Sequence, residues 1–552
     1  MAVAMLIVGI SHRQALALPL LGIVGVPEPT TSVAADPPPA GVDLSRLEVP
    51  SAAALAAVLS RFLGTEIDQA LLKNLREAIT AHCLEVGRPF VDVSIPEQDV
   101  TDGVLRVVVA EYRVGRVSAA GNRWFSDRYL LAGAALQPGQ GIDKPALDQR
   151  ITRLNSGPYL TVEPGFQAGE APGTTDVVLH AADRIPLIAS LGFANTGSPV
   201  TGWERWTIGA GWGNALDRGH TVSWQFSSST DLWNRRTGAD GQTQEPGSAG
   251  HSASWQIPLP DDQAIILSGG YALQSPRIGP DLNSLGRNVN AAGQYVLRQL
   301  PWRLGVGQEF AIGYEYKTTN NNLAFGGVSV QRSSSEISQF TLRYGTSLPT
   351  AFGDTQILGN LALSPGGMLP DNTDQAFQPS GTDQGGTPGA KARYLYGRMT
   401  VSHLLPLGRE VGLVLRATGQ LASGNLLPSE QLAIAGVDSV RGYQEFGVSG
   451  SQGFLLTTEL RSPRFRLLPT LSARLPEDSA QLHLFADYAR AGNPVVSEAT
   501  PARVTTASIG MGLRYEMGRQ VALRLEQGWQ LVRAPNQGAD GAFLHAAVSL
   551  AW

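Results

Sequence analysis

The sequence is poor in the groups that most often carry chemistry. A single cysteine, Cys83, permits no internal disulfide, and it continues the stripe Leu71, Leu75, Ile79 at helical spacing, where a thiol serves as a small hydrophobe. The eight histidines are scattered without ligand spacing, and neither a G-x-S-x-G elbow nor an H-E-x-x-H pair occurs. No catalytic residue, metal site or cofactor is therefore expected. Gly209-Ala210-Gly211-Trp212-Gly213 looks like a phosphate-cradling loop only superficially, because it sits on an alternating segment with no following helix or lysine. Basic runs are missing as well. With 42 Lys+Arg against 47 Asp+Glu, a formal net charge of −5, nucleic acid is not an expected partner. Beyond residue 26 no apolar stretch approaches the ~18 residues of a spanning helix, so a chain of this kind enters a membrane only as a barrel.

What the chain has in quantity is glycine and proline, 63 and 35 residues, falling largely between short alternating segments where strand connections need turn geometry. At 552 residues, two or three folding units are expected. The start reads as an export signal over residues 1–35: His12 and Arg13, the apolar run Ala15 to Val26, then Ser32-Val33-Ala34-Ala35. Pro19 interrupts that run, so an apolar N-terminal strand or a different start codon is the alternative.

Two similar modules follow. Residues 45–112 read as β-α-α-β-β. Leu55, Val58, Leu59 and Phe62 mark the first helix, and the Leu71 to Cys83 stripe marks the second, which Gly87-Arg88-Pro89 ends. Val91, Val93 and Ile95 alternate as one strand, and Leu105, Val107 and Val109 as the next. The same order recurs over residues 113–184, with Leu130, Leu131 and Ala134, then Leu147, Ile151 and Leu154, as its helical faces. Each copy would leave one sheet edge free, and in the first the segment Phe90, Val91, Val93, Ile95 is the candidate edge for capturing an extended peptide by strand addition.

Over residues 185–552 period two takes over. Leu544, Ala546, Val548, Leu550 and Trp552 form one face of the last segment, which ends on an aromatic residue, and Ile509, Met511, Leu513 and Tyr515 repeat the pattern. The opposite faces carry Arg514, Glu516, Arg524 and Glu526. A sandwich core would have to bury these charges at several kcal/mol each, whereas a wet lumen does not. A transmembrane barrel of about sixteen antiparallel strands of ~10 residues fits the remaining length.

Within that region stands Gly436-Val437-Asp438-Ser439-Val440-Arg441-Gly442-Tyr443, followed by the strand-like Phe454 to Pro463. These residues resemble the two-partner-secretion transporters of the ShlB/FhaC/HecB haemolysin secretion/activation family, and the likeness extends over nearly the whole chain. The resemblance implies that the two modules are polypeptide-transport-associated (POTRA) domains in the periplasm and that the barrel lies in the outer membrane of a Gram-negative bacterium. It also implies that Val440, Arg441, Gly442 and Tyr443 tip a long extracellular loop folded back into the lumen, with the arginine received by Asp487 of Phe485-Ala486-Asp487. Strand parity agrees: Leu482, Leu484, Ala486 and Tyr488 alternate as a lipid face, so His483, Phe485 and Asp487 point inward, and Glu459 is a second inward carboxylate. The implied function is outer-membrane translocation, or activation, of a large, β-helical exoprotein such as a haemolysin or adhesin, entering by its N-terminal secretion domain. The expected surroundings are outer-membrane lipid and a monomeric barrel. If cleavage follows Ala35, the segment before Leu47 is too short to plug the lumen. An assembly factor that inserts other barrels, and a porin-like channel, are the alternatives.

Overall fold

The computed structural model describes residues 18–27, 40–47, 51–233, 243–276, 282–298, 305–325, 328–379, 386–445, 447–468, 476–534 and 541–552. The chain divides into two units, Met1–Ile185 and Pro186–Trp552.

The first unit contains both modules. In the first, β1 (Gly22–Val26), β2 (Gly41–Asp43), α1 (Ala52–Leu59), α2 (Gln69–Glu85), β3 (Val91–Ser94) and β4 (Val104–Glu111) form a sheet in the order β2-β1-β4-β3. The helices form where the apolar spacing demands: Leu55, Leu59, Leu71, Leu75, Ile79 and Cys83 are all buried in one core, and Asp68 caps α2 by accepting from the Leu71 N–H at 2.7 Å. Burial pushes the Cys83 thiol up, with the Glu111 carboxylate adding to the effect, so this sulfur is an inert core group.

Part of the segment read as a leader forms the strand β1, the alternative reading of the apolar run. Gly22–Val26 runs parallel between β2 and β4, and Ile23 is fully buried. In the full chain the second half of the apolar run thus lies in the sheet of the first module. Replacing Ile23 with Asp would put an unpaired charge in this core. Limited proteolysis of the full chain is expected to cut the first module rapidly in Ile23→Asp while the barrel stays intact; unchanged resistance would restore the leader reading.

The second module repeats the plan with β5 (Arg113–Ala120), α3 (Asp127–Ala134), α4 (Lys144–Leu154), β6 (Leu160–Ala168) and β7 (Thr174–Asp183), in the order β5-β7-β6. Here β5 pairs parallel with β7 as β1 does with β4, which makes β2 the addition peculiar to the first module.

The second unit is a closed barrel of sixteen strands, from Leu187–Ala194 to Ala542–Ala551, all antiparallel neighbours. The alternation is the reason it closes as a membrane barrel: Leu482, Leu484 and Tyr488 are exposed on the outside while His483, Phe485 and Asp487 between them are buried. Closure rests on five residue pairs, Ser190–Ala194 against Ala547–Ala551, and Trp552 extends the seam by exchanging backbone hydrogen bonds with Ala189. Leu550 thus lies opposite Leu191, and the Trp552 side chain is exposed. Several strands exceed the expected ~10 residues; Val306–Phe325 and Val328–Thr350 have 20 and 23.

Candidate functional site

The site is built by the segment between the strands Val411–Ala422 and Gln452–Arg461. A short ladder of Leu432–Ala433 with Ser449–Gly450 narrows it into a hairpin stem, and the tip beyond packs Ile434, Ala435, Val440, Tyr443 and Val448 against Leu455, Ala489 and Ala491 of the wall. This apolar contact sets the tip against the inner face, so that its one cation meets the inward-pointing carboxylates.

Arg441 is nearly fully buried. Its guanidinium donates from Nε to Asp487 Oδ2 and from Nη2 to Asp487 Oδ1, both at 2.7 Å, and its backbone N–H reaches Oδ2 at 3.1 Å. Nη1 donates to Glu459 Oε1 at 2.6 Å and lies 3.6 Å from Glu526 Oε1. A planar fork on one carboxylate with a third donor on another is geometry that only arginine supplies. The ring of Phe485 lies under the guanidinium, 3.7 Å from centroid to Cζ, adding a cation–π contact in a dry site.

The carboxylates are themselves held. Arg461 and Arg514 both donate to Glu459, and Arg524 donates to Glu526 at 2.8 Å, with His483 Nε2 3.0 Å from its other oxygen. Three acids and four arginines therefore form one connected network across the strands Gln452–Arg461, Asp478–Gly492, Val504–Met517 and Val521–Gln530. Inward glycines make room for it: a side chain at Gly510 would strike the Phe485 ring, and one at Gly512 the His483 ring.

The other three motif residues have separate tasks. Val440 is fully buried in the tip. Gly442 has a φ of +86° and touches the wall at Gly528, where a Cβ on either glycine would come within 2.8 Å of the other's backbone. Tyr443, fully buried, donates its hydroxyl to the carbonyls of Ala507 and Val532 and accepts from the Ala507 N–H at 3.1 Å. Gln530 Nε2 donates to the Gly442 carbonyl at 2.8 Å.

Sequence reasoning placed Val440, Arg441, Gly442, Tyr443, Asp487 and Glu459, and the structure brings them together. It missed Glu526 as a member of the network. The signal was present, because Arg514 and Arg524 are cross-strand partners, and two cations facing each other need an anion close by. Gly528 was missed because close backbone approach leaves no mark in a pattern of charge or hydropathy.

At the candidate capture edge, β3 has β4 as its one neighbour in the sheet among the described residues. Tyr112 N–H donates to the Phe90 carbonyl, which fixes the phase: Asp92 and Ser94 turn their backbone groups toward β4, leaving those of Val91 and Val93 on the open side. The side chains of Val91, Val93 and Ile95 pack into the first core, and Ile95 lies just past the strand. Phe90 is not part of the open edge: its ring packs 4.6 Å from Phe166 and joins the second module's core. The free edge is thus a backbone surface of two residues.

With this geometry in hand, the family model described as haemolysin secretion/activation protein ShlB/FhaC/HecB matches residues 173–515, and the ShlB-type POTRA domain model matches residues 38–111. The chain belongs to the ShlB/FhaC/HecB family. It is 21% identical over 492 residues to the Heme/hemopexin transporter protein HuxB of Haemophilus influenzae, covering 85% of this chain and 79% of that one. To the outer membrane transporter CdiB of Dickeya dadantii it is 22% identical over 384 residues, 68% of this chain and 63% of the other. Among solved structures, CdiB from Escherichia coli superposes with a TM-score of 0.68 at 17% identity over 99% of this chain and 93% of that chain. BamA from Haemophilus ducreyi lacking POTRA domains 1-3 gives 0.53 at 14% identity over 90% of this chain and 97% of that chain, a likeness of fold. The ShlB-family chain is accordingly an outer-membrane transporter of a partner exoprotein in two-partner secretion, with its POTRA domains in the periplasm.

Proposed function

We propose that the exoprotein is captured as an extended segment by the open side of β3 and passes through the barrel lumen once the Arg441 hairpin has moved from its place on the wall. The observation that carries this reading is the nature of the lock: a buried but polar contact between Arg441 and Asp487 and Glu459. On release the carboxylates and guanidinium are solvated by a wet lumen, which leaves the small apolar patch of the tip as the remaining cost of moving. With no nucleotide motif in the sequence, folding of the cargo outside the cell supplies the direction. Such a cargo is large, β-helical and led by an N-terminal secretion domain; the transporter works as a monomer in outer-membrane lipid.

Capture by backbone hydrogen bonds makes a specific demand. Val93→Pro removes an N–H from the open side of an edge strand, where proline is tolerated, and leaves the bonds to β4 in place. Secretion is expected to fall several-fold with barrel levels unchanged, while Asp92→Ala, whose side chain is exposed, has little effect. Equal secretion by Val93→Pro and the intact chain would rule out strand addition at β3.

A further inference from the structure

The hairpin has a second polar anchor. Before its stem, Pro428–Glu430 makes one tight turn that places Glu430, 1% exposed, against a different part of the wall. Oε1 accepts from Lys317 Nζ at 2.8 Å, and Oε2 accepts from Gln339 Nε2 at 3.0 Å and from the Tyr396 hydroxyl at 2.8 Å. The Glu430 carbonyl accepts from Gln420 Nε2 at 3.1 Å and Arg398 Nη2 at 3.3 Å. Tyr394 fixes Gln339 by donating to its Oε1 at 2.9 Å. Leu426 and Leu427, just before the turn, are buried with Phe377, Ala390 and Ala392 of another connecting segment.

These partners come from the strands Val306–Phe325, Val328–Thr350, Arg393–Gly408 and Val411–Ala422. None of these four strands contributes to the Arg441 network. The hairpin is therefore tied to two arcs of the barrel, by its tip to one and by its base to the other. Lys317 is shared: its ammonium also lies 3.1 Å from Glu315, which accepts from Gln339 at 2.9 Å as well. One lysine thus holds two carboxylates together, one from the wall and one from the hairpin.

We infer that Lys317 and Glu430 form a second latch, which keeps the base of the hairpin on the wall when Arg441 lets go of the tip, so that the lumen opens fully only when both release. This rests on the reading that the hairpin moves during export. Lys317 is a positioning residue here. The shared lysine predicts an asymmetry that a merely structural contact would not give. Without Lys317, Glu315 and Glu430 repel across a half-buried site; without the Glu430 charge, the Lys317–Glu315 pair survives.

The test is single-channel recording of the purified full chain in planar bilayers, with heat-modifiable electrophoretic mobility reporting a folded barrel. Lys317→Met is expected to raise open probability on the order of tenfold, and Glu430→Gln by much less. Lys317→Met with Arg441→Ala is expected to reach a conductance that neither single variant shows. The charge exchange Lys317→Glu with Glu430→Lys keeps the charge sum and is expected to return the channel toward the quiet state. If the double variant merely reproduces Arg441→Ala, or the exchange is as open as Lys317→Met, the latch is overturned. Should Lys317→Met not fold, the Glu430→Gln and exchange recordings decide alone: an exchange more open than Glu430→Gln contradicts it. Conductance is read without cargo, so failure of the latch and failure of the export reading are separate results.

Discussion

Arg441→Ala is expected to turn a quiet channel into one with frequent large openings and, because the tip can no longer return to its seat between rounds of export, to cut release of the secreted partner at least about tenfold while the amount of folded barrel holds. The size follows from what is left behind. Asp487 is almost wholly buried and loses every donor the guanidinium gave it, and Glu459 loses one of its arginines. Breaking a buried pair on one side costs about 3–5 kcal/mol, enough to move a two-state loop equilibrium by more than a hundredfold. The tip of the loop therefore leaves the wall instead of staying there uncompensated. Arg441→Lys is expected to fall between, because a single ammonium cannot fork onto Asp487 and reach Glu459 together. Secretion assays and bilayer recordings on the same three proteins check both parts. A secreting, quiet Arg441→Ala would mean that the apolar contacts of Val440 and Tyr443 hold the tip by themselves.

Gly528→Val is expected to release the tip almost as completely, with every charge in place. A Cβ at Gly528 would lie 2.6 Å from the Gly442 backbone nitrogen and Cα, and neither backbone has a flexible end that could give way. The strand Val521–Gln530 is fixed by pairing on both sides, so the hairpin is the part that moves. Large channel openings in Gly528→Val and none in Leu525→Val, whose side chain faces outward, would show that the close glycine contact sets the closed position. If Gly528→Val stays quiet, the loop is not seated as described. The pair of variants separates charge from fit: Arg441→Ala removes the attraction, and Gly528→Val removes the space.

Much of this site was legible because a barrel strand has a strict period of two. Once Leu482, Leu484 and Tyr488 are assigned to lipid, Asp487 has to point inward, and a carboxylate in a lumen calls for a cation. The same parity found Glu459, and the motif around Arg441 supplied the partner. The sixteen strands followed from length and alternation. Parity says nothing about distances around the barrel, which is why Glu430 and Lys317, 113 residues apart, left no trace in the sequence. Glu430 is one acid among 47 Asp+Glu, in a turn without periodicity. The N-terminal segment stayed open between two readings for a different reason. Five apolar residues between two other strands and the apolar core of an export signal look alike, and small residues downstream favoured the signal. Phe90 alternates correctly with its neighbours, yet its ring is claimed by the second module through Phe166, a contact 76 positions away that no local pattern encodes.

The measurement that bears most directly on the whole account is release into the medium of the partner exoprotein, compared among the intact chain, its deletion and Arg441→Ala, with the other outer-membrane barrels quantified in parallel. Release that requires the chain, falls at least about tenfold in Arg441→Ala and leaves other barrels at normal levels is the predicted result. Undiminished release from the deletion strain, together with depletion of other outer-membrane barrels, would contradict it.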